Sequence, residues 1–459
     1  MNENNADSSI ENNQKKDSTE ESLAERYAEM DFDCEYTDNL PALLKELNIS
    51  LAFTSYQAGR LMLVRSDGKN LDINFKSFPR PMGLAATEDG LTLGIFTQII
   101  NFQREDGLLE KIKQPMQSIE DDVTAPRIKP KDVKGGDSIE ESSNLEKEEA
   151  TALNLEDELV DAEDESTATQ LTPEQLAKVQ ERRKEAREYQ EKLNAPLDER
   201  VDACFITRSS HYSGMINIHD IDWGDEGLWV VNSSFSCLCT VEPDYSFVPR
   251  WKPHFITELV PEDRCHLNGM TLKDGKPAYV TTFSKFNSMA EWRDNKEFDG
   301  TLMDVETNTI LLDGLAMPHS PRWYNDRVYL CNSGLGHIYS YDPESKTKET
   351  VAEVPGFTRG MDFYGPIMFV GLSKVREGDV TKPAPLAQKY DETFSGIWLF
   401  NLEETEDGAA QEVGHIKFTG NVDQIYDVAV IPDCSFPELI EPSHPRMRNH
   451  FCAAEMDEI

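Results

Sequence analysis

The chain has 459 residues and a formal net charge of −40 at pH 7, and that excess of acid excludes nucleic acid, whose phosphates it would repel. Eight scattered cysteines fit neither a zinc ribbon nor a disulfide framework, and no apolar run is long enough to cross a bilayer, so neither an oxidising compartment nor a membrane partner is expected. The opening Met1-Asn-Glu-Asn-Asn-Ala-Asp holds no apolar secretory segment, which places the expected location in the cytoplasm.

Residues 1–38 are acidic and poor in apolar groups, the composition of a disordered tail. Leu40-Pro-Ala-Leu-Leu-Lys-Glu-Leu reads as one short amphipathic helix. Ser50-Leu-Ala-Phe-Thr-Ser, Arg60-Leu-Met-Leu-Val-Arg-Ser and Leu71-Asp-Ile-Asn-Phe then read as three strands without a preceding first strand of their own.

From Arg80 a four-strand unit recurs. Its first strands align without gaps as Arg80-Pro-Met-Gly-Leu, His219-Asp-Ile-Asp-Trp, His266-Leu-Asn-Gly-Met, His319-Ser-Pro-Arg-Trp, Phe357-Thr-Arg-Gly-Met and Gln424-Ile-Tyr-Asp-Val. Six such starts with about four strands each predict an all-β, six-bladed β-propeller over 39–434. The last start has no partners after it, because 435–459 is a Pro-rich tail. The orphan strands at 50–75 supply them, so the ring closes by N-terminal strands joining the last blade, which also removes exposed edges. Cys237 and Cys239 alternate on one strand and share a core face.

Two insertions interrupt the rhythm. Residues 103–200 form an acidic, largely disordered stretch ending in a helix over 173–193, with Thr172 as N-cap, Pro173 at the first helical position and Gln175 completing the capping box. It is a solvated spacer or a surface for protein partners. Residues 377–393 read as a loop over one face.

First strands line a propeller's channel, so His219, His266 and His319, in one column of the alignment, should converge on the axis. Three imidazoles there could hold Zn²⁺ or Fe²⁺ with an open position, Asp220, Asp222 or Asp427 serving as outer support or general base; otherwise they bond channel water and backbone. Two residues along, the column reads Met82, Ile221, Asn268, Pro321, Arg359 and Tyr426. Asn268 and Arg359 are polar where a core prefers apolar groups. With Arg322, Lys374 and Arg376 they form a cationic set suited to a carboxylate or phosphate, unless these arginines link blades. Trp251, Trp292 and Trp323 could stack on a planar or sugar ligand. Asn232-Ser233 and Asn332-Ser333 occupy matching second-strand positions suited to hydrogen bonds between blades. The residues thus point to a small anionic or polar ligand at the channel mouth, with metal-assisted hydrolysis or lysis as the reaction if there is one. The alternative is a non-catalytic scaffold that recruits proteins.

The strings Arg264-Cys-His-Leu-Asn-Gly, Met317-Pro-His-Ser-Pro-Arg-Trp, Pro355-Gly-Phe-Thr-Arg-Gly and Phe369-Val-Gly-Leu-Ser-Lys-Val-Arg-Glu resemble a family of bacterial conserved-hypothetical proteins, some joined to tetratricopeptide repeats. The resemblance covers about 50–434 apart from the acidic insertion. It implies a propeller-like domain and supplies no catalytic residue. More distantly the ring resembles six-bladed lactonase, strictosidine-synthase-like and amidating-lyase propellers, some of which place a metal on the axis.

Overall fold

The computed structural model describes residues 31–114, 184, 195–294, 297–375, 384–406, 409–448 and 450–451. The helix expected over 173–193 lies outside them except at Lys184, as does Arg376. The chain divides into two compact units, Met1–Asp106 with Arg200–Glu441, and Gly107–Glu199 with Pro442–Ile459. In the second unit a short helix, Leu109–Ile112, has its C-terminal end closed by the buried Arg446. The Arg446 guanidinium donates to the carbonyls of Lys111 at 3.4 Å and Gln114 at 2.8 Å, which satisfies acceptors a helix leaves open.

The first unit holds six antiparallel sheets, the blades of an all-β propeller. Innermost strands, in chain order, are Leu84–Ala86, Ile218–Gly224, Leu267–Lys273, Pro318–Tyr324, Phe357–Tyr364 and Asp427–Ile431, and they number the blades one to six. Each interface between neighbouring blades holds its own apolar cluster, and alternation along the strands supplies both sides. Leu51 and Phe53 pack towards Phe369 and Leu399 of blade five, while Ala52 between them packs towards Leu93 of blade one. Cys237 and Cys239 share the apolar cluster between blades one and two, and burial pushes the Cys237 thiol up to about 12 and that of Cys239 well above its ordinary value. Among the described residues no disulfide joins one cysteine to another.

Blade six takes its innermost strand from the end of the unit and its outer three from the beginning: Asp427–Ile431 pairs antiparallel with Ser50–Ser55, followed by Arg60–Ser66 and Leu71–Ser77. Both ends also reach further. Cys34–Tyr36, in the stretch read as tail, pairs with Ile416–Phe418 on the outer edge of blade five. Pro437–Ile440, past the expected boundary at 434, runs parallel to Ala203–Ile206 on the outer edge of blade one. The two chain ends therefore bind three adjacent blades. The helix Leu40–Leu47, as read from sequence, buries Leu40 and Leu44 in the cluster between blades five and six.

Around the axis, each pair of neighbouring blades is joined between its innermost segments by at least one hydrogen bond. Leu84 N donates to Asp427 Oδ2 at 3.0 Å, Gly83 N to Ile218 O at 3.2 Å and Met270 N to Asp220 Oδ2 at 3.0 Å. Trp323 N donates to Thr271 Oγ1 at 2.7 Å, Gly360 N to Ser320 Oγ at 2.9 Å and Val430 N to Asp362 Oδ2 at 2.7 Å. The strands converge closely enough that a Cβ on Gly360, whose φ is +79°, would lie 2.6 Å from Val428 N. Further out, Ser233 Oγ donates to Leu267 O and Ser333 Oγ to Thr358 O, so both serines tie their blade to the next.

Candidate functional site

The three histidines meet at one end of the axis. His219 and His266 lie edge to face with centroids 4.7 Å apart, and His266 and His319 both contact the ring of Phe283, at 4.6 and 4.9 Å. Each ring is fixed through Nδ1. His219 Nδ1 donates to Asn217 O at 3.2 Å, and His319 Nδ1 to Met317 O at 3.1 Å, the carbonyl two residues back in both cases. Asn217 and Met317 take left-handed φ values of 52° and 49°, which aim those carbonyls at the rings. His319 Nδ1 also bonds Ser333 Oγ at 2.9 Å; that hydroxyl spends its proton on Thr358 O and can only accept. In blade three the anchor is a carboxylate instead: Asp263, φ 48°, accepts from His266 Nδ1 at 2.9 and 3.1 Å. Trp292 Nε1 donates to the same carboxylate at 3.1 Å, and its ring stacks on His266 at 4.0 Å.

A carbonyl cannot donate, so these bonds assign the Nδ1–H tautomer to His219 and His319 and leave Nε2 of the neutral rings as a lone-pair acceptor. Burial, then the neighbouring His266 and Arg359, hold His219 well below the ordinary imidazole range. Burial, then Arg359 and the other two histidines, do the same to His319. Both rings are therefore neutral at pH 7.

Beside them stand two cationic side chains on aromatic faces. The Arg359 guanidinium lies 3.4 Å from the Tyr426 ring centroid, and Tyr426 is 5.4 Å from His219. Arg80 is clamped between Tyr56 at 4.7 Å and Phe96 at 4.8 Å. Arg80 Nε, Asn268 Nδ2 and the Tyr426 hydroxyl are buried without a hydrogen-bond partner, although Asn268 Oδ1 accepts from Thr281 at 2.7 Å. All three belong to the two axial columns of the repeat. Buried polar atoms are normally satisfied, so three unsatisfied polar atoms in the axial columns mark a channel built to receive polar groups. Apolar walls are supplied by Phe283, Trp292, Leu386 and Phe357, which pack the 283–294 and 384–395 loops together.

Several sequence expectations are redirected. Arg322 links blades: its guanidinium donates to Asp220 at 2.8 and 3.2 Å, to Asp427 at 3.4 Å and to the carbonyls of Met270 and Met361. It thereby joins blades two, three, five and six to its own blade four, and two of the three carboxylates expected to support the histidines, Asp220 and Asp427, are spent there, while Asp222 accepts from Trp223 N. The carboxylate that does support one is Asp263, in a turn outside the aligned columns. Lys374 pairs with Asp423 at 2.7 Å. Of the three tryptophans only Trp292 is at the mouth; Trp323 stacks on Tyr279, and Trp251 packs between blades two and three. Among the described residues no group of three or more His, Cys, Asp or Glu side chains is arranged to hold one metal ion.

The chain matches a domain of unknown function, DUF4915, over residues 38–130 and 164–440. It belongs to that family. No curated protein matches. A solved structure described as a nidogen/laminin complex is similar to it at 7% identity and a TM-score of 0.42, covering 84% of this chain and 99% of that one. The DUF4915 match spans both sides of the acidic insertion and contains every residue of the axial mouth. Among the described residues no helix is long and apolar enough to cross a membrane.

Proposed function

We propose that this propeller binds a small anionic metabolite at the axial mouth formed by His219, His266, His319, Asn268, Arg359, Tyr426 and Arg80. The observation that carries this reading is the gathering of unsatisfied polar atoms, Arg80 Nε, Asn268 Nδ2 and the Tyr426 hydroxyl, beside two arginines stacked on aromatic rings. Every one of those atoms is a hydrogen-bond donor, and a carboxylate or phosphate offers the acceptors they lack. The protein as a whole is strongly acidic, so a local cluster of donors and guanidinium groups gives selectivity that net charge would oppose.

The same geometry bears on the metal expected from the three histidines. Arg359 is close enough to depress the protonation of both His219 and His319, and a fixed cation there disfavours a divalent one by the same Coulomb term. The mouth suits an anion better than a metal.

The test is binding of inorganic phosphate and short carboxylates, measured by calorimetry on the wild type and on Arg359→Gln. Losing the guanidinium should weaken binding about tenfold or more, since a charge-assisted bond contributes about 1.5–3 kcal/mol. Unchanged affinity would remove Arg359 from the site. Metal analysis of the purified wild type and of His266→Ala separates the other reading, because stoichiometric metal lost on that substitution would restore the metal centre.

A further inference from the structure

We infer that the ligand of this mouth is a hydroxylated anion, a hydroxy acid or a sugar phosphate, whose hydroxyl groups donate to the Nε2 atoms of His219 and His319. This deepens the anion reading of the same site and rests on it.

The argument is an inventory of donors and acceptors. Nδ1 of His219 is committed to Asn217 O, and Nδ1 of His319 to Met317 O and Ser333 Oγ. With burial and Arg359 keeping both rings neutral, Nε2 of each is an acceptor and cannot donate to an anion. A bare carboxylate or phosphate would meet those lone pairs with its own, which is repulsive. Arg359, Arg80 and Asn268 Nδ2, in contrast, are donors. The mouth therefore presents donors and acceptors together, and a ligand that satisfies both must carry an anionic group and hydroxyl donors within one small molecule. His266 differs from its two counterparts, because its Nδ1 is committed to the Asp263 carboxylate rather than to a backbone carbonyl.

The experiment is calorimetric titration of the full chain at pH 7.5 with compounds that share a skeleton. Gluconate is compared with hexanoate and with glucitol, and glucose 6-phosphate with inorganic phosphate. At least one hydroxylated anion should bind about tenfold or more tighter than its unsubstituted counterpart, as expected for two hydrogen bonds gained. The preference should shrink in His319→Phe, with His219→Leu as the second variant should the first fail to fold. Equal affinity of gluconate and hexanoate, and of glucose 6-phosphate and phosphate, would overturn the hydroxyl inference and leave the anion site standing. Glucitol binding as tightly as gluconate would overturn the anion reading instead. No binding by any of the five would overturn both, and a strong gluconate or glucose 6-phosphate preference separates the carboxylate from the phosphate source.

Discussion

The Arg322 guanidinium bonds to groups of four blades besides its own. Its charge is partly offset by burial but held firmly by Asp220 and Asp427, so the guanidinium stays protonated. Burial in turn pushes Asp427 and Asp362 up, and Asp222 up to about 6, against the pull of Arg322. Replacing one partner of such a set strands the others. Arg322→Met should therefore lower stability by about 3–5 kcal/mol in urea unfolding; a loss under about 1 kcal/mol would mean that the carboxylates find other partners. The buried histidines have a different signature. His219 and His319 are held below the free imidazole value, so the unfolded chain binds protons that the folded one refuses. Their contribution is complete above about pH 6.5 and is lost as pH falls from there towards the folded values, at up to about 1.4 kcal/mol per unit for each ring. Asp222 and Asp427 act in the opposite sense, because the folded state binds their protons more readily, so the raw curve is flattened. The informative quantity is the difference between wild type and His319→Phe, which should open as pH falls from 7 to 5; parallel curves would mean that the ring binds its proton equally well in the folded and unfolded chain.

At the scale of the elements, the two short outer strands are unequal. Pro437–Ile440 carries Glu438, which is 5% exposed and pairs with Arg65 at 2.9 Å and Lys76 at 2.5 Å. Burial alone would raise its carboxyl, but Lys76 and Arg65 outweigh burial and hold it below the usual range. Glu438→Gln should cost about 3 kcal/mol or more in urea unfolding, because two cations lose their buried partner. Glu35→Gln, on the exposed side of Cys34–Tyr36, should change stability by less than about 0.5 kcal/mol. Equal losses would contradict the inequality. Neither strand was legible in the sequence. Three residues in an acidic tail give no alternation to detect, and a four-residue strand led by proline and paired in parallel has no hairpin turn beside it. The four-strand unit was legible because its period-2 alternation and its Asp, Asn and Gly turns recur.

For the whole molecule, counting first strands predicted the six sheets, and placing the histidine column at the axis followed from the repeat. What the repeat could not convey was the sign of each polar residue's role. Arg322 and Arg359 stand in neighbouring columns of adjacent blades, yet one is locked by Asp220 and Asp427 and the other lies on Tyr426 beside the imidazoles. The difference depends on which blades face each other across the ring, a relation that no local pattern contains. Asp263 escaped for a similar reason, since it occupies a turn where blades two and four use a backbone carbonyl. The closed ring holds these groups in place while the loops at 283–294 and 384–395 shape one side of the entrance. Anion capture by that entrance is the central claim, and a crystal soaked in selenate tests it most directly through the anomalous signal of selenium. The expected result is a peak within about 4 Å of the Arg359 guanidinium, as a hydrogen-bonded oxyanion requires, and its absence in Arg359→Gln. Selenate bound only elsewhere on the surface would contradict the account.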